Sequence, residues 1–441
     1  MLNFSQNRLF IIAGAFIVAV FILITIVFLS RGFGPADSGP LKELKFWGVF
    51  DDTNDFRSTL NTFQQRYPRI RISYQQFNYE DYEKELIEAF AAGRGPDIWM
   101  IQNTWLPKQQ EKITPLPQQK LPGQEKPLFT LRDFRDQFVD VAEKDLVVQE
   151  QIYGLPLYVD TLALYYNKDI FNSVGIASPP ETWEEFNGAV EKIATIGENE
   201  AIIRAGAAIG TAKNINRSTD ILSLLMMQSG VPMSDPESGA ADFLKEVNGR
   251  NPGQTALEYY TDFANPTKRV YTWNSSAFYS IDAFQQGAAA MMFNYAHQIE
   301  VLKARAPRLN FGVAPMPQLN LDRPVNYANY WAATVSKFSA SPVEAWQFAT
   351  YLTSFEGAIP YLNSTEHPTA RRDLIDQQKE DLTIGVFVKQ VLTADSWYQV
   401  DSAAIENILA TMIEDVNFRR RSIVEALNAA ESQINVLVQR R

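Results

Sequence analysis

Residues 41–101 read LKELKFWGVFDDTNDFRSTLNTFQQRYPRIRISYQQFNYEDYEKELIEAFAAGRGPDIWMI and alternate between two hydrophobic patterns. Short apolar runs are typical of strands, whereas apolar residues that recur every three or four positions form one face of a helix. Pro68 and Gly93 mark the ends of the two helical stretches. In order, the patterns predict a strand at 44–49, a helix at 56–67, a strand at 70–74, a helix at 82–90 and a strand at 98–101. This alternation predicts an α/β fold with a parallel sheet and right-handed crossovers.

The same theme continues less regularly along the rest of the chain. Helical periodicity recurs around 183–193, 221–228 and 343–353, and the residues after 400 carry a further helical stripe. The chain has 441 residues, of which 46% are hydrophobic and 21% are charged. It is therefore long enough for two domains, each with a buried core.

The composition argues against several classes of function. A net charge of -11 argues against a nucleic-acid partner, because binding to phosphates depends on clustered lysine and arginine. The chain has no cysteine, which excludes disulfides, thiolate metal sites and cysteine nucleophiles. His297 and His367 are its two histidines, too few to favour zinc or histidine-dependent hydrolysis. The stretch 206–213 lacks the spacing of a phosphate-binding loop, so we do not expect an ATPase. We also predict no cofactor.

The amino-terminal segment is the most hydrophobic part of the sequence. Leu9–Leu29 carries no charge and is long enough to span a bilayer, which takes about 20 residues. A cleaved secretory signal has a shorter apolar stretch, of about 7 to 15 residues. We therefore predict a cytoplasmic end at 1–8, an uncleaved signal-anchor helix at 9–30 and a flexible tether, rich in glycine and proline, at 31–40. An atypical cleaved signal and a buried core helix are the alternatives, and the flanking charges do not decide the orientation.

Four blocks of the sequence resemble the extracellular solute-binding proteins of the maltose-binding type, the substrate-binding components of ABC importers. The blocks contain AAGRGPDI at 91–98, YGLP and YYNK in 153–183, AFQQG and FGVAP in 283–315, and AW and YLTS in 345–361. They occur in the family's order and span nearly the whole chain after residue 41. Many relatives carry a cleaved signal or a lipidated cysteine, and this chain departs from both patterns.

The resemblance implies a two-lobed, periplasmic-binding-protein-like fold of type II. Lobe 1 is expected at 41–157 and 329–393, and lobe 2 at 158–328 and 394–441. The expected ligand is a small polar molecule, a sugar or oligosaccharide, captured in the cleft between the lobes. The expected partners are ABC permease subunits and the membrane, which the amino-terminal helix enters. A monomer with its binding domain on the extracytoplasmic side of the cell membrane is the implied arrangement.

Sugar binding needs flat aromatic faces for C–H groups and fixed polar groups for hydroxyls. Candidates from the residues themselves lie after predicted strands, where open α/β sheets place ligands. They are Trp47, Asp51, Asp52 and Asn54 in the run 47–54 at the carboxyl end of the first strand, and Asn103 and Trp105 after the third. Helix capping by Asp51, Asp52 or Thr53 is the structural alternative for the first group. Trp105 could instead cover the edge of its lobe.

Further candidates follow from the resemblance. The resemblance implies that Tyr158 and Asp160 lie in the first crossing between the lobes, and Asn294 and Tyr295 follow the family's Ala-Met run. Near the second crossing and in a loop before the final helices, the candidates are Tyr330, Trp331 and Trp397. Packing between the lobes is the alternative for Tyr158, and burial in the core is the alternative for Asn294 and Tyr295. Trp183 starts a predicted helix and is expected to be structural.

Two other functions remain open at this stage. The fold could serve a sensor that passes its conformational change to a signalling partner. A carbohydrate-active enzyme would need two carboxylates at a defined separation in space, which a sequence does not give. Transport is the preferred interpretation.

Overall fold

The computed structural model describes residues 40–120 and 125–440. The predicted anchor at 9–30 therefore lies outside the described residues, as do residues 31–39 of the predicted tether. Within 40–120 and 125–440, no helix combines the length and the apolar character that a bilayer crossing requires.

The chain folds into an α/β structure. Its strands are β1 (Lys42–Val49), β2 (Ile70–Phe77), β3 (Ile98–Gln102), β4 (Val147–Val148), β5 (Gln151–Ile152), β6 (Leu155–Pro156), β7 (Asp160–Thr161), β8 (Ala163–Asn167), β9 (Thr195–Ile196), β10 (Ile202–Arg204), β11 (Met291–Asn294), β12 (Phe311–Ala314), β13 (Asn326–Asn329), β14 (Trp331–Val335) and β15 (Ala394–Asp395).

The α-helices are α1 (Thr53–Arg66), α2 (Tyr79–Ala91), α3 (Leu106–Gln109), α4 (Leu131–Gln137), α5 (Asp140–Leu146), α6 (Lys168–Ser173), α7 (Trp183–Ile193), α8 (Ser218–Gln228), α9 (Pro252–Asp262), α10 (Ser280–Gln285), α11 (Gln298–Arg305), α12 (Pro342–Leu352), α13 (Phe355–Thr365), α14 (Arg372–Gln378), α15 (Gly385–Gln390), α16 (Ser402–Asn417) and α17 (Ile423–Gln439). Short 3-10 turns occupy Asn103–Trp105, Gln110–Lys112, Glu198–Glu200 and Val391–Thr393.

The first five elements confirm the pattern of alternating strands and helices. Strand β1 lies between β2 and β3 and runs parallel to both, with Phe46 opposite Tyr74 and Ile98. The five-stranded sheet has the order β2-β1-β3-β14-β6, and β14 returns to it antiparallel from much later in the chain. Asp52 and Asp55 form a capping box at the start of α1, so the capping alternative holds for Asp52.

Two hydrophobic cores divide the described residues. One core takes its buried residues from 44–159 and 328–391, and we call the part around it lobe 1. The other takes them from 162–327 and 397–434, together with Phe387, and we call this part lobe 2. The chain therefore passes between the cores three times. In lobe 2, β8 forms the centre of an antiparallel sheet with the order β11-β8-β12.

The three passages between the cores are hydrogen-bonded to one another. Strand β13 pairs antiparallel with β7 and parallel with β15, and each of these strands lies in a different passage. Because β7, β13 and β15 form one small sheet, the connections lie side by side. We call this sheet the hinge sheet. It borders the space between the lobes.

Candidate ligand-binding cleft

Two adjoining cavities lie between the cores. One has a volume of about 520 Å³ and is lined mainly by polar residues, so we call it the polar compartment. The other has a volume of about 240 Å³, and seven aromatic or imidazole rings line it, so we call it the aromatic compartment. Both are lined by Tyr79, Gln102, Arg217 and Asn329, which makes them parts of one cleft. The cleft takes residues from both lobes.

Lobe 1 supplies an aromatic wall. The ring centroids of Trp105 and Trp331 are 5.2 Å apart, and those of Phe50 and Tyr79 are 5.6 Å apart. Trp331 pairs with Gln102 across β14 and β3, which brings Trp331 beside the turn that holds Trp105. Trp331 is 3% exposed, whereas Phe50 is 57% exposed. The wall therefore combines the buried indole of Trp331 with the exposed ring of Phe50.

Lobe 2 supplies a polar wall around the start of α8. The guanidinium carbon of Arg217 lies 5.2 Å from the centroid of the Tyr295 ring, within the range of a cation–π contact. The Tyr295 hydroxyl donates a hydrogen bond of 2.8 Å to Oδ2 of Asp220. Burial raises the pKa of Asp220 to about 6, against the opposing effects of the Arg217 charge and this hydrogen bond. The wall thus presents a guanidinium supported from behind by a phenol and a carboxyl group.

Asp160 lies on β7, in the hinge sheet, and lines the aromatic compartment. Its Oδ1 accepts a hydrogen bond from the Thr161 N–H, and its Oδ2 accepts one from the Ala296 N–H, both at 2.8 Å. Burial raises the pKa of Asp160 to about 7, although the bond from Ala296 and the charge of His367 oppose the shift. The carboxyl group is fixed in place and buried.

Both histidines line the aromatic compartment. His367 Nε2 lies 3.2 Å from Oδ1 of Asp51, and its ring stacks on Tyr158 with centroids 3.9 Å apart. Burial lowers the pKa of His297 to about 3, with the positive charge of Arg217 acting in the same direction. His297 is therefore neutral at physiological pH, and His367 is oriented by a carboxylate behind it.

Six of the sequence-predicted site residues meet in the cleft. Asn103 and Trp105 line the polar compartment, and the aromatic compartment is lined by Tyr158, Asp160, Tyr295 and Trp331. Most of these residues have structural partners as well, since all six are buried. Lining the cleft and packing within the fold are therefore compatible at these positions, and ligand contact stays a prediction.

The predicted candidates of residues 47–54 lie outside the lining of the cleft. Trp47 lies within β1 and packs on Phe77, with ring centroids 4.5 Å apart. Asp51 accepts a hydrogen bond of 2.8 Å from the Tyr361 hydroxyl in addition to its contact with His367. Asp52 caps α1, and Asn54 receives a hydrogen bond from Arg57. None of these four side chains lines either compartment of the cleft.

Tyr330 and Asn103 meet at a buried carboxyl group. The Tyr330 hydroxyl donates to Oδ2 of Asp145 at 2.8 Å, and the Asn103 Nδ2 donates to the same oxygen at 2.9 Å. The Ser396 hydroxyl, beside β15, donates to Oδ1 of Asp145. Burial raises the pKa of Asp145 to about 6, although the three hydrogen bonds oppose the shift. Tyr330 therefore ties the end of the sheet to a passage between the lobes, away from the cleft.

Two further predicted residues also lie outside the cleft lining. The Asn294 Nδ2 donates a hydrogen bond of 3.1 Å to Oδ1 of Asn216, which lines the polar compartment. Trp397 packs edge-on against Phe243 and lines a separate cavity of about 440 Å³. Asn294 thus contacts a residue that lines the cleft, whereas Trp397 lines a different cavity.

Sequence reasoning missed several residues of the cleft. Phe50 lies inside the run 47–54, but the predicted candidates in that run were Trp47 and the polar residues that follow Phe50. Tyr79 is the first residue of α2, and Arg217 precedes α8 in a stretch without periodicity. Gln102 and Asn329, which line both compartments, were also missed. Their position at strand ends was the available signal.

Comparison with known proteins agrees with the fold. The maltodextrin-binding protein MdxE of Bacillus subtilis is 25% identical over 398 residues, which cover 86% of each chain. The galactooligosaccharide-binding protein of the same organism is 22% identical over 371 residues, which cover 81% of each chain. The crystal structure of a cyclic alpha-maltosyl-1,6-maltose binding protein from Arthrobacter globiformis superposes with a TM-score of 0.75 at 18% identity. It covers 91% of this chain and 100% of that one.

The sequence profile of one family matches more than half of the chain. The family is described as bacterial extracellular solute-binding protein, and the match runs over residues 47–359. It is a family of binding proteins and not of enzymes, which agrees with a cleft formed between two lobes. By this match the chain belongs to the family of bacterial extracellular solute-binding proteins.

Proposed function

We propose that the protein binds a sugar or oligosaccharide in the cleft and delivers it to an ABC-type permease. The observation that carries the proposal is the pairing of an aromatic wall on lobe 1 with a polar wall on lobe 2. Aromatic faces cover the C–H surface of a pyranose, and fixed polar groups pair with its hydroxyls. Relatives named for binding maltodextrin and galactooligosaccharides support the same class of ligand.

Release to a permease requires a change of shape on binding. A ligand that touches both walls stabilises the conformation in which the lobes are close together, because only that conformation offers both sets of contacts. The hinge sheet provides the connection about which such a movement would occur. The proposed signal to the permease is this closed form.

The proposed function predicts that a sugar stabilises and compacts the protein. A panel of maltose, maltotriose, maltotetraose, galactobiose and tagatose is to be screened by thermal unfolding. Ligand at 100 times its dissociation constant adds about 2.7 kcal/mol to the free energy of unfolding. The sugar that stabilises the protein most is expected to lower the radius of gyration in solution scattering. A panel that shifts neither the unfolding temperature nor the scattering profile would reject sugar binding.

We also propose that residues 9–30 hold the binding domain outside the cell as a single-pass anchor, with the protein acting as a monomer. The full-length protein is expected to stay with membranes after washing with high salt and alkaline carbonate. A truncated protein beginning at Leu41 is expected to be soluble and to bind the same sugar. A mature amino terminus beyond Arg31 on protein isolated from cells would contradict the anchor.

A further inference from the structure

Two residues of the aromatic compartment have a backbone conformation that is unfavourable for them. Phe50 and Arg217 both have a φ of 65°, in the left-handed region that residues other than glycine and asparagine rarely occupy. Phe50 belongs to lobe 1 and Arg217 to lobe 2, and both line the same 240 Å³ cavity. Strained residues of this kind persist where the surroundings hold them, and they cluster at ligand sites.

The side chain of Phe50 contributes little to the core. It is 57% exposed, and its ring contacts Tyr79 and the edge of Trp331, both of which line the aromatic compartment. Its backbone is held by a hydrogen bond of 2.7 Å from the Gln76 Nε2 to the Phe50 carbonyl oxygen. A strained backbone conformation therefore places an exposed aromatic ring at the cleft.

The Arg217 side chain lines both compartments of the cleft. Its Nε is shielded from solvent and has no acceptor among the residues that the structure describes. Its guanidinium lies over the Tyr295 ring, and this cation–π contact holds the group in place without supplying a conventional hydrogen-bond acceptor. Arginine offers five N–H donors in a rigid fork, which suits a pair of neighbouring oxygen atoms. A buried donor without an acceptor is unfavourable until a ligand supplies one.

We propose that Phe50 and Arg217 form a clamp with one residue from each lobe, in which the Phe50 ring covers a face of the bound sugar and the Arg217 guanidinium donates to neighbouring oxygens of that sugar. The clamp rests on the proposed function and names the residues that couple ligand to closure. Asp160 lines the same compartment, and Asp220 lines the adjoining polar compartment and accepts a hydrogen bond from Tyr295, so two carboxyl groups already accompany the arginine. Neutral hydroxyl and ring oxygens are therefore the expected acceptors.

Glycine substitutions test the clamp, because glycine accepts the left-handed conformation and keeps the local backbone. The variants are Phe50→Gly and Arg217→Gly, and the control is Arg419→Gly. Arg419 also has a positive φ, of 55°, but lies in the turn between α16 and α17 and lines neither compartment. Arg217→Lys keeps the charge and removes the fork.

Affinity is to be measured by calorimetry with the sugar that most stabilises the wild-type protein, and closure by scattering. Phe50→Gly, Arg217→Gly and Arg217→Lys are each expected to weaken binding about tenfold or more, and Arg217→Gly is also expected to lose the sugar-induced compaction. Arg419→Gly is expected to bind and close like the wild type. Wild-type affinity and compaction in the cleft variants would overturn the clamp and leave the proposed function standing. A wild-type protein that binds no sugar of the panel would reject the proposed function, and the clamp with it.

Discussion

Replacing Trp331 by alanine is expected to weaken sugar binding by roughly 5- to 150-fold, which corresponds to about 1 to 3 kcal/mol. The indole lines the aromatic compartment and would lie against the apolar face of a bound sugar. The same change is expected to lower the free energy of unfolding by about 3 to 5 kcal/mol, because the ring also packs against Trp105 and Tyr82. Calorimetric titration beside a urea unfolding curve measures both effects.

The matched control for this prediction is Trp346→Ala. Trp346 is a fully buried tryptophan of the lobe 1 core that lines neither compartment of the cleft. Its loss is expected to lower stability by a similar amount while the folded fraction keeps the affinity of the wild type. Equal affinities in the Trp331 variant and in the wild type would show that the indole is only a packing residue.

Replacing Asp145 by alanine is expected to lower the free energy of unfolding by about 3 kcal/mol or more. The substitution leaves the donors of Asn103, Tyr330 and Ser396 without their acceptor, and each buried unpaired group costs about 1 to 3 kcal/mol. Asp145→Asn keeps one acceptor oxygen in the same place and is the control. Urea unfolding at pH 5 and pH 7.5 measures both variants. A loss no larger in the alanine variant than in the asparagine variant would contradict this account.

The pH dependence of the same measurement has a defined sign. Burial raises the pKa of Asp145 from 3.8 to about 6, so over this range the folded protein retains a proton that the unfolded chain has lost. The contribution of Asp145 therefore makes the free energy of unfolding fall as the pH rises from about 4 to about 6. Asp220 and Asp160 act in the same direction, since burial raises their pKa as well. Asp145→Asn is expected to reduce this decrease and not to abolish it.

The first half of lobe 1 could be predicted from the sequence because its strands and helices follow one another without interruption. Strand β14 could not be placed by the same reasoning, since it joins β3 from more than 200 residues away along the chain. Such a pairing joins residues that are distant in sequence, and hydrophobic periodicity reports only on neighbouring residues. The resemblance to a family, and not periodicity, directed attention to that region.

Of two adjacent candidates, Tyr330 and Trp331, only Trp331 lines the cleft, and the direction of the side chains explains the difference. Tyr330 and Trp331 were both predicted to contact the ligand, yet adjacent residues of extended chain point to opposite sides. Trp331 faces the aromatic compartment, and Tyr330 turns to Asp145 inside lobe 1. Arg217 was not predicted, because it lies in an irregular segment before a helix and belongs to no hydrophobic pattern. The role of a single polar residue in an irregular stretch can be inferred only when its neighbours in space are known.

The hinge sheet restricts how the two lobes can move. Three separate strands would allow twisting and sliding, but β13 pairs with β15 at Asn326 and Tyr327 and with β7 at Ala328 and Asn329. Bending across the sheet keeps these bonds, whereas shear between the strands breaks them. Bending is therefore the motion that these pairings oppose least, and under the proposed function ligands of different size would favour the same motion. A transporter that recognises the end of that motion would accept many cargoes with a single docking surface.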